Sequence, residues 1–397
     1  MLLAMHCLAK DPLTQQNGFT QPLQIQSKQL TAKDFPSLHP LPLATLPLVI
    51  QHRRHVVATS TPQIQAALDS LPHDNHWALI TLGPGVFQEQ IFIRRDKTII
   101  QGRGKDTTVV RYAILREHFL QAKRSKMQGK HLSDQHGNAE ANAKPAPNDV
   151  LPRGAALEQD WGAAVVNIAA SDIVLLDMTV HNSYAFAHPT DPKRFTHQFA
   201  IRGFQSATRI LTDHVNFASN GADTVSLWNK NNGMYYHANG RFSGRVDLMC
   251  PRGTAFITHS EFVTLQAVAT LWHDGELSPK QKIVVTHSRF FGVNGFELAR
   301  HHYDGQFYLL HNIFHKALAD KPIYRRTYPN EPWRDQPNRF GARYYFYGNQ
   351  VDGQPNYAWL QDNLAVSHAQ QISADWAFDG AWQPELLLNK IRHTIAD

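Results

Sequence analysis

From residue 210 onward, short runs of β-branched and aromatic residues end in Phe217, Phe242, Phe262, Phe290 and Phe314, at separations of 25, 20, 28 and 24 residues. The runs also align internally. Thr212-Asp213-His214-Val215-Asn216-Phe217 matches Thr258-His259-Ser260-Glu261-Phe262, Thr286-His287-Ser288-Arg289-Phe290 and His311-Asn312-Ile313-Phe314. A repeat of this length made only of strands and turns predicts a solenoid in which each turn buries its apolar face against the next. The expected fold is all-β, a right-handed parallel β-helix over about residues 54–350, with the phenylalanines stacked inside and Asn or Gly at the corners. Propeller blades would need roughly 40–50 residues each, more than these spacings offer.

Upstream of the repeat the pattern changes twice. Residues 10–52 are rich in Gln, Pro and Leu without a sustained period, which predicts a wrapping arm or linker over 1–52 before a single domain from 53 to 397. Thr61 to Pro72 reads as one short helix: Thr61 as N-cap, Pro62 at the tolerated first position, apolar residues at 64, 67, 68 and 71, and Pro72 as the stop. Residues 116–159 carry Lys123, Arg124, Lys126, Lys130 and three prolines, so they read as a polar insertion between coils, either a solvated loop or a flap beside the substrate.

Composition narrows the function classes. With 42% hydrophobic and 18% charged residues the 397-residue chain is too apolar to be disordered. Its two cysteines, Cys7 and Cys250, form no Cys-x-x-Cys pair, which argues against a disulfide framework and a thiolate metal site. The 23 histidines include no ligand spacing of the His-Glu-x-x-His kind, so no metal or other cofactor is predicted. No run of 18 uncharged apolar residues predicts a membrane span. A net charge of +6 suits either plain solubility or an anionic ligand, and no nucleic-acid-binding motif is present.

Two acidic residues stand one coil apart: Asp223, in Asn220-Gly221-Ala222-Asp223-Thr224, and Asp247, in Gly244-Arg245-Val246-Asp247. On a solenoid they would sit side by side on adjacent rungs. Carboxylates held close do not ionise together easily, so one can serve as nucleophile and the other as proton carrier. Two turn aspartates that merely accept backbone amides would show the same spacing.

Several further segments, in order, resemble the pectin methylesterase (pectinesterase) family, carbohydrate esterase family 8. They are Pro84-Gly85-Val86-Phe87-Gln88-Glu89, the Ile99–Val110 strand with its Gly102-Arg103-Gly104 turn, Asp177-Met178-Thr179-Val180-His181-Asn182, Gly244-Arg245-Val246-Asp247 and Leu298-Ala299-Arg300. The resemblance implies a carboxylic ester hydrolase that removes methyl esters from polygalacturonate (pectin). Asp247 would be the nucleophile, Asp223 the general acid and base, and Arg300 the group that holds Asp247 ionised. It implies a secreted or periplasmic monomer whose partner is homogalacturonan or a related anionic polysaccharide, although Met1–Ala9 lacks the basic start of an export signal.

The departures from the family are specific. Its Gln before the proton-carrying Asp is Ala222 here, an aromatic after the nucleophile is Cys250, and the Trp after the Arg motif is His302. A second family Gln falls near His197-Gln198; Gln198 is the expected oxyanion donor and His197 the alternative, because alternating strand residues cannot both face the cleft. Tyr184, Phe186, Trp228, Trp272 and Tyr303, with His197, Ala222 and His302, are the candidate substrate-binding residues. Two rivals are a pectate lyase-like enzyme, disfavoured by the missing acidic calcium cluster, and a catalytically weakened β-helix that binds a polysaccharide or acts on another ester.

Overall fold

A computed structural model of the protein describes residues 30–31, 34–35, 48–59, 61–123, 125, 160–275, 278–330 and 339–396. Its strands pair in parallel between named strands and form two sheets that wind along one axis as a parallel β-helix. The five phenylalanines face one another across successive rungs, Phe217 to Phe242, Phe242 to Phe262, Phe262 to Phe290 and Phe290 to Phe314. Their ring centres are 5.9, 5.1, 4.4 and 4.8 Å apart, and all five are fully buried. The column continues upstream into Val180 and downstream into Val351, so apolar volume rather than aromaticity is what each rung requires.

The corners differ from expectation. Histidine takes the left-handed turn conformation at 214, 259, 287 and 311 (φ 48–54°), in register with Asp177 and Asn239. The imidazoles of His259, His287 and His311 stack on the outer surface with centres 5.2 and 4.9 Å apart. In His259 and His287, Nδ1 is 2.8 Å from the hydroxyl of the preceding threonine, a local bond that holds a side chain outside this turn.

The first paired strand, Ile50–Val56, begins before the expected boundary at 53 and lies on Trp77–Leu82. The helix covers only Ile64–Asp69 and is not capped by Thr61. The Glu89 carboxylate instead accepts the backbone N–H groups of Gln63, Ile64 and Gln65, each at 3.0 Å. A buried carboxylate on three otherwise unpaired donors at the positive end of a helix explains the glutamate of the Pro-Gly-x-x-x-Glu segment.

After Gln350–Val351 the chain leaves the solenoid and packs short helices and the helix Pro384–Ala396 against one sheet face. Trp376, Phe378, Trp382 and Ile391 form a second core there with Tyr236, Phe256, Tyr308 and Tyr345. Arg392 fastens the last helix to the coils by pairing with both Asp177 and Asp213. Of the insertion, 116–123 is helical, and most of the rest, including Arg124, Lys126 and Lys130, lies outside the described residues, as does most of the N-terminal arm.

Candidate active site

The two aspartates are held by the same local device. Asp223 donates its backbone N–H to Val246 O (2.9 Å) and Asp247 its own to Ala269 O (2.8 Å), which places them on neighbouring rungs. Both sit in the left-handed region, at φ 59° and 50°. That conformation is unfavourable for a side chain with a Cβ and recurs where surrounding structure enforces it. The glycine of the Gly-x-Val-Asp segment is required by space: a Cβ on Gly244 would lie 2.3 Å from Thr224 Oγ1.

Asp247 is buried, and Arg300 grips its carboxylate with both edges, Nε to Oδ1 at 3.1 Å and Nη2 to Oδ2 at 2.7 Å. Burial lifts this carboxyl above the usual range, to about 6, and neighbouring Asp223 adds to the lift while Arg300 opposes it. Burial also works against the Arg300 charge, but the Asp247 carboxylate outweighs it and raises the guanidinium further. Asp223 and Asp247 both line an open cleft of about 650 Å³, together with Arg300, Trp228, Trp272, His197, His302 and Tyr303.

The floor of the cleft is a chain of alternating charges and rings. Asp160 accepts from Arg116 (2.8 Å) and Arg202 (2.7 Å); the Arg202 and Arg252 guanidinium carbons lie 4.5 and 4.4 Å from the centre of the Trp228 ring. Arg252 then reaches Asp274 (3.3 Å), which also accepts from Trp272 Nε1 (2.8 Å) and the backbone N–H of His302 (2.7 Å). Arg300 lies 5.3 Å from the centre of the Trp272 ring. With guanidinium groups against it, Trp228 helps to position charge as well as offering ring surface. Sequence reasoning missed Arg116, Asp160, Arg202, Arg252 and Asp274, which belong to no recurring segment.

Other predicted residues divide. The His302 and Tyr303 rings, centres 4.3 Å apart and tilted by 34°, line the cleft beside Tyr328. Tyr184 does not line the cleft: its hydroxyl donates to Asp191 (2.6 Å) and its ring is buried. Phe186 is 68% exposed and outside the cleft, and Ala222 is buried with no part in the lining. Cys250 lines the cleft, but burial, with Asp223 next, pushes its thiol well up, so it is a neutral packing group.

Gln198 is turned away from the position expected for it. It is fully buried, its amide nitrogen donates to Arg194 O, and its Oε1 has no partner among the described residues. Gly221 leaves room for it, since a Cβ there would stand 3.0 Å from Gln198 Cβ and Cγ. The neighbouring residue, His197, pairs in parallel with Ala222 and faces the cleft instead. Its Nδ1 lies 2.7 Å from Glu117 Oε1, at the start of the inserted helix.

Three carboxylates of the cleft, Asp247, Asp274 and Asp160, are poor cation ligands, because each faces a guanidinium. Away from it, His52, Asp74 and His76 bring ligand atoms within 4.8 Å of one another, with Asp74 already 2.6 Å from Arg95. No helix among the described residues is long and apolar enough to cross a membrane.

No protein-family model and no curated protein matches this sequence. Solved structures do. Pectin methylesterase PemA from Erwinia chrysanthemi is 16% identical over 85% of this chain and 99% of its own, with a TM-score of 0.61. The pectin methylesterase from Aspergillus niger is 15% identical over 85% and 96%, TM-score 0.59. That from carrot is 12% identical over 86% and 98%, TM-score 0.58. At these identities the likeness establishes the fold, which is the parallel β-helix of those enzymes.

Proposed function

We propose that the protein hydrolyses methyl esters of polygalacturonate, releasing methanol and leaving acidic pectin. The observation that carries this reading is the Asp247 carboxylate held bidentately by Arg300 beside Asp223 in one open cleft. Solved neighbours with this fold include pectin methylesterases, two of those structures being complexes with a hexasaccharide. Five cationic side chains, Arg116, Lys230, Arg252, Arg300 and Arg326, line the cleft against the carboxylates of Asp160, Asp223, Asp247 and Asp274, and that small excess suits an anionic polysaccharide.

In this reading an Asp247 oxygen attacks the ester carbonyl carbon, and Arg300 keeps that oxygen ionised and aimed. The C–OCH3 bond breaks as Asp223 gives its proton to the departing oxygen, yielding methanol and an acyl-enzyme anhydride. Water then attacks the acyl carbon while Asp223 takes its proton. Asp247 leaves as a carboxylate, and the product carboxylic acid gives its remaining proton to solvent. The bidentate hold of Arg300 on Asp247 supports giving the nucleophile's part to Asp247, which leaves the proton carrier's part to Asp223.

The test is methanol release from highly methyl-esterified pectin by the purified protein, with Asp247→Asn as control. Methanol from the wild type alone supports the reading. A calcium-dependent unsaturated product without methanol would identify a lyase, and pectin binding without either product a binding protein. A pH dependence follows as well. Because Asp247 attacks only when ionised and burial lifts it to about 6, the acid limb of kcat/KM is expected to rise tenfold per pH unit below about 6 and to stop rising near that value. Initial rates from pH 4 to 8 check this; an acid limb centred near the ordinary carboxylate value would refute it.

A further inference from the structure

We infer that His197, fixed as an imidazolium by Glu117, is the donor to the developing oxyanion, so that this cleft uses a cation where the resemblance in sequence implies a neutral glutamine. The inference rests on the ester-hydrolase reading above and adds a residue pair to it. Negative charge that gathers on the carbonyl oxygen during attack needs a donor already in place. Ala222 has no side-chain donor, and the Gln198 amide is committed to Arg194 inside the wall. His197 is the cleft-facing side chain on the rung before Asp223, one third exposed, with Asp223 and Asp247 on the two rungs that follow.

The geometry fixes the ring. The Glu117 carboxylate engages His197 Nδ1 through Oε1 at 2.7 Å, while its Oε2 accepts from Thr196 Oγ1 at 2.7 Å. The backbone N–H of Arg116 donates to His197 O at 3.2 Å, which ties the inserted helix to this rung. With Nδ1 engaged, Nε2–H is the donor left for a ligand, and no proton need leave it during the reaction.

The charges around the ring favour the cation. Burial works against it, but the bond from Glu117 and the charges of Asp223 and Glu117 outweigh burial and the opposing Arg116, so His197 titrates above its ordinary value. Asp247 faces the ring too and is stabilised by it. Burial would raise Glu117, but the bond and charge of His197 hold it down to about 2. A cationic donor is lost on deprotonation, so the rate falls on the alkaline side as His197 loses its proton.

Removing one oxyanion donor typically lowers kcat by ~10²–10³-fold. His197→Ala is therefore expected to lose about that factor in kcat with little change in KM. His197→Gln should recover to within about tenfold of the wild type, because an amide is also a donor, and its alkaline limb should be displaced. Glu117→Gln keeps an acceptor on Nδ1 but removes the charge, so its alkaline limb should move to lower pH. Full kcat in His197→Ala, or an alkaline limb left in place by both Glu117→Gln and His197→Gln, overturns the inference. If the wild type releases no methanol, the esterase reading is what fails. The pair is then judged by NMR titration of His197: a pKa at or below the ordinary histidine value overturns it, and a raised value that falls in Glu117→Gln supports it.

Discussion

On the proposed mechanism, Asp247→Asn is expected to reduce kcat for ester hydrolysis by ~10⁴-fold or more, as removal of a nucleophile does in covalent hydrolases. The asparagine oxygen can still accept from Arg300, so the guanidinium stays in place and only the attacking charge is lost. Alanine is a poorer probe, because it strips Arg300 of a partner inside the wall and mixes loss of chemistry with loss of stability. The sign of the stability effect follows from titration. A carboxyl whose folded pKa is lifted by burial contributes stability below its unfolded value and loses it as the pH rises through the folded value of about 6. A neutral amide avoids that loss, so the variant should unfold at pH 8 no lower in temperature than the wild type. Thermal melts beside methanol assays separate the two effects. A variant that melts normally and hydrolyses at the wild-type rate would remove Asp247 from the mechanism.

What the sequence made legible is what the solenoid repeats. The phenylalanines could be aligned by eye because each coil returns the same strand position to the same place, and the coil-length spacing of Asp223 and Asp247 follows from that geometry. The choice between Gln198 and His197 was not legible, for a physical reason. The rungs pair His197 with Ala222 but Ile201 with Val225, so the register slips by one residue between them and exchanges which side chain faces the cleft. Glu117 and Arg116 were hidden because the inserted helix brings their side chains to partners 80 and 44 positions away along the chain, His197 and Asp160. The corner histidines were misread as well. Asn and Gly are the general answer to a left-handed turn, whereas here a threonine before His259 and before His287 supplies a local bond to the ring.

The stack beneath these rungs carries the largest structural effect. Phe262 lies between Phe242 at 5.1 Å and Phe290 at 4.4 Å, fully buried, one rung beyond the strand Arg241–Gly244 that leads into Asp247. Phe262→Ala would remove a ring whose two faces are both occupied, and neighbouring rungs cannot close the gap because their backbones are hydrogen-bonded at fixed spacing. The expected loss is ~3–5 kcal/mol, read as a fall in the denaturant midpoint at unchanged slope. Phe186→Ala, at a ring that is 68% exposed, is the matched control and should change stability by no more than ~0.5 kcal/mol. Since a solenoid coil touches chiefly its neighbours, the damage should fall hardest on the rungs carrying Phe242 and Phe290, and amide exchange should quicken there before it does in the strands near Trp77–Leu82. A loss below ~1 kcal/mol would mean that the rungs are held by their ladders alone and that the phenylalanine stack adds little.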